Sequence, residues 1–215
     1  ESSDVQDAAA ASLGAIGKPA TSPLMKALKS TNADTQWNAI YALSELGADA
    51  RPAGPELVKL IKGAPTARIR REAIHAAARI DFDQNALGKL FVSMLGTDEE
   101  ATYDTLVNAL LRLQPAESAV VPELQKQLHN QSPELRRRAS YVLGRVGEPS
   151  RTAVPRLIEL TRDASDEETR TVHIQTLANI NHYSVTPLLK ELGKRKPEEL
   201  TESDWVIGCL ESIGP

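Results

Sequence analysis

The side chains that most often carry chemistry are few in this sequence and lie far apart. The chain has one cysteine, Cys209, and four histidines, at positions 75, 129, 173 and 182. A lone cysteine excludes an intrachain disulfide framework and a zinc site built from several thiolates. No glycine-rich phosphate loop, Gly-x-Ser-x-Gly elbow or cluster of metal ligands occurs. We therefore assign no catalytic, cofactor-binding or metal-binding residue, and we expect Cys209 to be an unreactive small residue because no basic side chain adjoins it.

Side chains suited to protein binding are placed more regularly. Trp, Tyr and Arg combine a large contact area with few rotors or a planar donor fork, and they are enriched in binding hot spots. Such residues form an Arg/aromatic row: Trp37, Tyr41, Arg70, Arg71, His75, Tyr103, Arg136, Arg137, Tyr141 and Arg170. Either they stack on one another as Arg–aromatic pairs within the fold, or they contact a protein partner whose identity the sequence does not reveal.

Lysines form a second regular set. This lysine row consists of Lys26, Lys59, Lys89, Lys126 and Lys190. Long charged side chains often only solvate a helix surface. If the row is functional, it would steer an acidic partner, and the affinity would fall with salt.

The composition indicates which elements hold these residues. Ala and Leu make up about a quarter of the 215 residues, and only 4% are aromatic, which favours helices and excludes an all-β fold. The 25 Lys and Arg residues against 29 Asp and Glu give a formal net charge of −4, which argues against nucleic-acid binding. No apolar run approaches the roughly 18 residues of a membrane span. We expect a soluble protein, either cytoplasmic or exported after processing.

An internal repeat of about 33 residues organises the chain. An apolar pair followed by a turn residue recurs seven times, with the turn at Gly17, Gly47, Asp81, Gln114, Gly147, Asn181 and Gly214. Apolar residues at helical spacing precede each turn and predict a first helix, helix A. Gly or Asn at five of the turns favours a left-handed helix cap. The Arg/aromatic row lies eleven, ten or six residues before the turns, off the apolar stripe of helix A.

A second helix, helix B, follows each turn. Proline, which fits the first helical turn, opens it in five copies, at Pro23, Pro55, Pro122, Pro155 and Pro187. The third copy enters through Asn85-Ala86-Leu87, so we expect a looser connection there. Two antiparallel helices cannot bury both of their apolar faces alone, so the copies must stack. The sequence therefore predicts an all-α solenoid of about six and a half two-helix repeats.

We expect one repeat domain over residues 1–215. Its copies span about 1–33, 34–67, 68–100, 101–133, 134–167 and 168–200, with a partial copy at 201–215. The last copy stops at Gly214-Pro215, where its helix B should begin. We expect either a fragment of a longer protein or a final helix that caps copy six with one face.

Residues 133–147, PELRRRASYVLGRVG, combine an acidic start, Arg, Ala and a Leu-Gly-x-Val-Gly close. This segment resembles the short bacterial HEAT repeats of the phycobilisome-lyase-like class; copies one and two match well, and copies three, four and six match in part. The ankyrin signature and the aromatics of tetratricopeptide repeats are missing. The resemblance implies a right-handed solenoid whose B helices line the inner curve, and a scaffold for protein–protein interaction.

The resemblance also raises enzymatic alternatives. Deoxyhypusine hydroxylase-like members bind two irons through His-Glu pairs ten and nine residues before the turns, and no copy here carries such a pair. A phycobilin lyase would need a cleft for an open-chain tetrapyrrole, and HEAT-like DNA glycosylases would need a basic groove, which the acidic balance disfavours. We expect a non-enzymatic scaffold without a cofactor; the alternative is a lyase or oxidoreductase-type subunit.

Overall fold

The structure, a computed structural model, describes residues 12, 16–114, 119–194 and 204–214, and within them all regular structure is helical. Helix A of the first copy, including Ala9, Ala10 and Leu13, lies outside the described residues. The chain divides into two compact units, Glu1–Gln114 and Pro115–Pro215. Each unit has its own packed helices.

The first unit consists of two helix layers. Its helices are α1 (Thr21–Ala27), α2 (Ala33–Leu46), α3 (Gly54–Gly63), α4 (Ala67–Arg79), α5 (Gln84–Ser93) and α6 (Glu100–Arg112), with 3₁₀ turns at Lys18–Ala20 and Gly47–Ala53. The A helices α2, α4 and α6 pack side by side, and the B helices α1, α3 and α5 pack against them. Ile40, Leu57, Ile74, Phe91 and Leu106 are fully buried between the layers.

The second unit repeats this arrangement. Its helices are α7 (Val120–Gln127), α8 (Pro133–Val146), α9 (Val154–Arg162), α10 (Glu167–Asn179), α11 (His182–Leu192) and α12 (Trp205–Ile213), with a 3₁₀ turn at Glu148–Ala153. The A helices α8, α10 and α12 pack side by side, with α10 and α8 in close approach. At Gly144 an added Cβ would lie 3.0 Å from the Thr176 Cα. The missing side chain lets the two backbones meet.

These layers confirm the predicted all-α solenoid fold. The expected contact of the last A helix is also present, since α12 packs on α10 and α11 and buries Val206 and Cys209. The repeat boundaries and the single-domain organisation stay predictions.

All seven predicted turn residues have positive φ. The angle lies between 49° at Gln114 and 79° at Gly214. The predicted left-handed cap is wrong in ψ, however, which is −127° at Gly47, −133° at Gly147 and −140° at Asn181. This ψ turns the carbonyl of the turn residue toward the next helical turn, where the carbonyl of Asn181 accepts a hydrogen bond from the Ser184 N–H at 2.8 Å. One residue therefore ends helix A and begins the following helix.

The B helices begin near their prolines in four copies. In copy six the predicted start at Pro187 is wrong, because α11 begins at His182 and contains Pro187 as its sixth residue. The stretch between turn and proline is a 3₁₀ turn in copies two and five, whereas in copy six it continues as α-helix. The third copy begins without proline, as expected, and there the Asp83 carboxylate accepts a hydrogen bond from the Ala86 N–H at 3.0 Å.

Asn181 offers a direct test of the turn conformation. Positive φ with strongly negative ψ strains a residue that has a Cβ by about 1–3 kcal/mol, and glycine relieves most of this strain. Asn181→Gly should therefore stabilise the protein by about 1 kcal/mol, a rise in Tm of about 2–4 °C. Thermal unfolding measures it. The control Gln175→Gly, at an exposed position inside α10, should destabilise by about 0.5–1 kcal/mol; destabilisation by both changes would contradict the assigned turn.

Candidate functional site

The Arg/aromatic row in the first unit links consecutive copies. Arg71 on α4 forms an ion pair with Glu99, the residue that precedes α6. Trp37 on α2 lies under the guanidinium of Arg68, whose Cζ is 4.8 Å from the ring centroid. Each contact joins a residue ten positions before the turn residue of one repeat to the start of the next A helix.

The second unit makes the same contact. Arg137 on α8 donates a hydrogen bond to the Glu168 carboxylate on α10 at 2.7 Å, and it also donates to Glu134 within its own helix at 2.8 Å. A guanidinium presents several donors in a fixed plane, so one side chain can bridge two carboxylates. The three side chains at this position, in copies two, three and five, therefore tie neighbouring A helices together.

In copies five and six, the residue eleven positions before the turn holds the preceding loop. The Arg136 Nη1 donates hydrogen bonds to the carbonyls of Asn130 and Gln131 at 2.8 and 2.9 Å. The Arg170 Nη2 donates one to the carbonyl of Ala164 at 2.9 Å. These carbonyls follow the end of a B helix, where backbone acceptors lack intrahelical partners. The arginines at this position thus satisfy backbone groups.

The residue six positions before each turn is the most exposed part of the row. Tyr41 stacks on Trp37, with centroids 5.5 Å apart and planes at 2°. His75 is exposed, and its Nδ1 lies 3.9 Å from the Glu72 carboxylate. Tyr141 is 40% exposed, and its hydroxyl accepts a hydrogen bond from Arg145 at 3.1 Å. The structure thus keeps His75 and Tyr141 accessible, while Arg70 and Tyr103 are half-buried.

A groove of about 490 Å³ runs between α4 and α6 beside this row. Its walls carry both charge signs together with neutral hydrogen-bonding groups. The residues that line it include Arg71, Glu72, His75, Thr105, Asn108 and Arg112. The exposed imidazole of His75 therefore borders a concave polar surface.

All five residues of the lysine row are exposed. Two of them pair with a glutamate one turn earlier, Lys59 with Glu56 at 3.0 Å and Lys126 with Glu123 at 2.7 Å. Such exposed pairs within one helix contribute little to stability. Their ammonium groups remain accessible to a partner.

Cys209 has no accessible thiol. It is fully buried, and its Sγ lies 3.7 Å from the Ile174 carbonyl. Burial raises the pKa of the Cys209 thiol to about 12, so the thiolate is not populated near neutral pH. The expected unreactive role of Cys209 is confirmed. Within the described residues no group of three His, Cys, Asp or Glu side chains is placed to hold a metal ion.

His173 is deeply buried. Its side chain is 2% exposed and borders a cavity of about 100 Å³ between α8, α9 and α10. Neither ring nitrogen has a hydrogen-bond partner of good geometry. The pKa of His173 is lowered from 6.5 to about 4, mainly by burial and also by the charge of Arg136. The Leu160 carbonyl and the Asp166 carboxylate act in the opposite direction and raise the pKa. The imidazole is therefore neutral at pH 7.

The burial of His173 makes stability depend on pH. The unfolded chain takes up this proton near pH 6.5 and the folded protein only near pH 4, so stability is complete above pH 6.5 and falls as the pH drops toward 4. The folded protein loses about 3 kcal/mol of stability over this pH range. His173→Leu and His173→Gln should remove this part of the pH dependence. Urea unfolding at pH 7.5 and 4.5 measures it, and parallel losses in wild type and both variants would contradict it.

Gln36 was not recognised from the sequence as part of the row, although it lies at the same position as Arg136 and Arg170. It is buried, and its Nε2 donates a hydrogen bond to the Leu28 carbonyl at 2.7 Å. A polar residue at this position in every copy from the second to the sixth was the available signal.

The Gln36 hydrogen bond can be tested by truncation. Gln36→Ala leaves the buried Leu28 carbonyl without its donor, which should destabilise the protein by about 1–3 kcal/mol. The matched change Asn38→Ala, at an exposed position of the same helix, should shift the free energy of unfolding by less than about 0.5 kcal/mol. Urea denaturation measures both, and equal effects would show that the Gln36 bond contributes nothing.

With the helices and their contacts in place, comparison with known sequences gives the family. The model of HEAT repeats matches residues 1–78, 89–178 and 121–204, most of the chain. The chain belongs to the HEAT-repeat family. The inter-copy contacts of Arg71, Arg137 and Trp37 are thus contacts between HEAT repeats. No curated protein matches the chain.

Several engineered proteins of known structure are similar to this chain. One engineered protein shares 22% identity over 89% of this chain and 95% of its own, with a TM-score of 0.48. A second shares 18% over 89% and 97%, with a TM-score of 0.46. A designed armadillo repeat protein in complex with the peptide (KR)4 shares 18% over 90% and 99%, also with 0.46. The fold assignment rests on the helices themselves and on the HEAT-repeat match.

Among the described residues, no helix combines the length and apolar character needed to cross a membrane.

Proposed function

We propose that this HEAT-repeat chain is a non-enzymatic scaffold that binds another protein. One observation carries the proposal: the exposed side chains that recur from copy to copy are suited to binding, whereas the lone cysteine and His173 are buried. Cys209 and His173 are enclosed by helices. The exposed repeated positions carry lysine, tyrosine and histidine instead.

In the A-helix layer, some residues of the Arg/aromatic row pack against the next repeat and others are exposed. Trp37, Arg71 and Arg137 engage the next repeat, so their loss would disturb packing before it disturbed recognition. His75 and Tyr141 keep exposed edges, and their polar partners Glu72 and Arg145 lie in their own helices. We therefore propose His75 and Tyr141 as the residues of the row that touch a protein partner. The repeats themselves we assign to the short phycobilisome-lyase-like class, on the residues 133–147.

The scaffold is tested by affinity capture from extracts of the organism that carries the chain. His75→Ala/Tyr141→Ala should reduce the retained partner by about fivefold or more, because truncating an important interface residue costs more than about 1 kcal/mol of binding free energy, with Tm unchanged within about 2 °C. The control Asn38→Ala/Thr171→Ala removes exposed side chains from the same layer and should retain the partner fully.

Two outcomes would contradict the proposal. Undiminished retention by the His75/Tyr141 variant would show that these side chains do not touch the partner. Stoichiometric iron or a bound chromophore in the purified protein, measured by metal analysis and absorption spectroscopy, would overturn the non-enzymatic assignment and favour a lyase or oxidoreductase-type subunit.

A further inference from the structure

The B helices of the first unit concentrate positive charge. α1, α3 and α5 contain four lysines and one glutamate, a net charge of +3 (4 − 1), and Lys29 follows the end of α1, in a chain whose net charge is −4. All five lysines are exposed. They form the lysine face: Lys26, Lys29, Lys59, Lys62 and Lys89.

The helical period sets these lysines on the outer side of the B helices. Leu24, Leu57 and Leu87 are the buried core residues of α1, α3 and α5. The lysines stand two or five residues after them, which at about 100° per residue is roughly 200° and 140° around the helix. Both directions point away from the core. The lysine face therefore consists of two adjacent rows of ammonium groups.

Helix dipoles explain only part of this charge. Lys26 and Lys62 lie in the last turns of α1 and α3, and Lys29 follows α1, where cations are favoured. Lys59 and Lys89 lie earlier in their helices, and of the five lysines only Lys59 forms an ion pair inside the part of the chain that the structure describes. The pKa of Glu56 is lowered by its hydrogen bond with Lys59 and by the charges of Lys59 and Lys29, so ammonium groups of two repeats act on one carboxylate.

We propose that the lysine face binds an acidic, extended segment of the protein partner whose carboxylates recur at about every third residue. This inference rests on the proposed scaffold function and names the partner's chemistry. Packed A helices advance the repeat by about 8–10 Å. A polyproline II segment rises about 3.1 Å per residue with three residues per turn, so every third side chain lies on one side at nearly the same spacing.

Carboxylates fit the lysine face better than phosphates of a nucleic acid. Grooves for single-stranded nucleic acids combine cations with aromatic side chains on which bases stack. The one aromatic residue of α1, α3 and α5, Phe91, is fully buried. The net charge of −4 also repels a polyanion at long range, whereas a short acidic segment meets only the local field.

Fluorescence anisotropy with the labelled peptide EPPEPPEPPE tests the proposal. We expect binding at 0.05 M NaCl and an affinity about tenfold lower at 0.5 M, because salt screens exposed charges. Lys26→Glu/Lys89→Glu should weaken binding by at least about fivefold for each reversed charge. The matched control Lys18→Glu/Lys194→Glu changes the net charge equally at exposed lysines outside both the lysine face and the lysine row, and it should have less than about a twofold effect.

Further binding measurements distinguish the proposed acidic segment from other ligands. Equal affinity for a peptide with its glutamates clustered at one end would overturn the proposed spacing. Tighter binding of a single-stranded oligonucleotide of equal charge, lost in the same variant, would replace the acidic segment with nucleic acid. No peptide binding at 0.05 M NaCl, with circular dichroism unchanged, would overturn the lysine face alone. The proposed scaffold function would then still be tested by the affinity capture with the His75→Ala/Tyr141→Ala variant.

Discussion

The fold depends on a backbone reversal that recurs once per repeat. Each A helix ends at a residue with positive φ, and where the following hydrogen bond is formed the same residue's carbonyl accepts it, as Gly147 does from Ser150 and Asn181 from Ser184. At these two turns no unpaired linker separates the helices, so their apolar faces meet immediately. That fixed reversal lets Ala and Leu fill the layers without large rings.

On this frame, the A-helix layer is held by side chains as well as by the core. Arg71 and Arg137 carry ion pairs to the next repeat, and Trp37 packs under Arg68. Different positions of the Arg/aromatic row therefore account for the contacts within the fold and for the proposed binding of a partner. Positions ten and eleven residues before the turn serve the fold, and the position six residues before it leaves His75 and Tyr141 accessible.

Charge is distributed unevenly between the layers. The acids that cancel the lysines over the whole chain lie mainly outside the B helices of the first unit, where Glu56 pairs with Lys59 and is also affected by the charge of Lys29. A protein with a modest negative net charge therefore presents a locally positive surface. Such a surface suits recognition of short acidic segments, since salt and long-range repulsion both limit binding of extended polyanions.

The sequence by itself determined the helical class, the period, the seven turn positions and the positions of the two rows. These follow from local periodicity and from residues with special backbone preferences. It did not determine the ψ of the turns or the start of α11 at His182, because both depend on how the next helix packs. Only the tertiary structure decided that Arg71 and Arg137 reach carboxylates 28 and 31 residues away and that Gln36 holds the Leu28 carbonyl. A side chain's partner across the repeat is a property of stacked helices, and periodicity within one helix does not encode it.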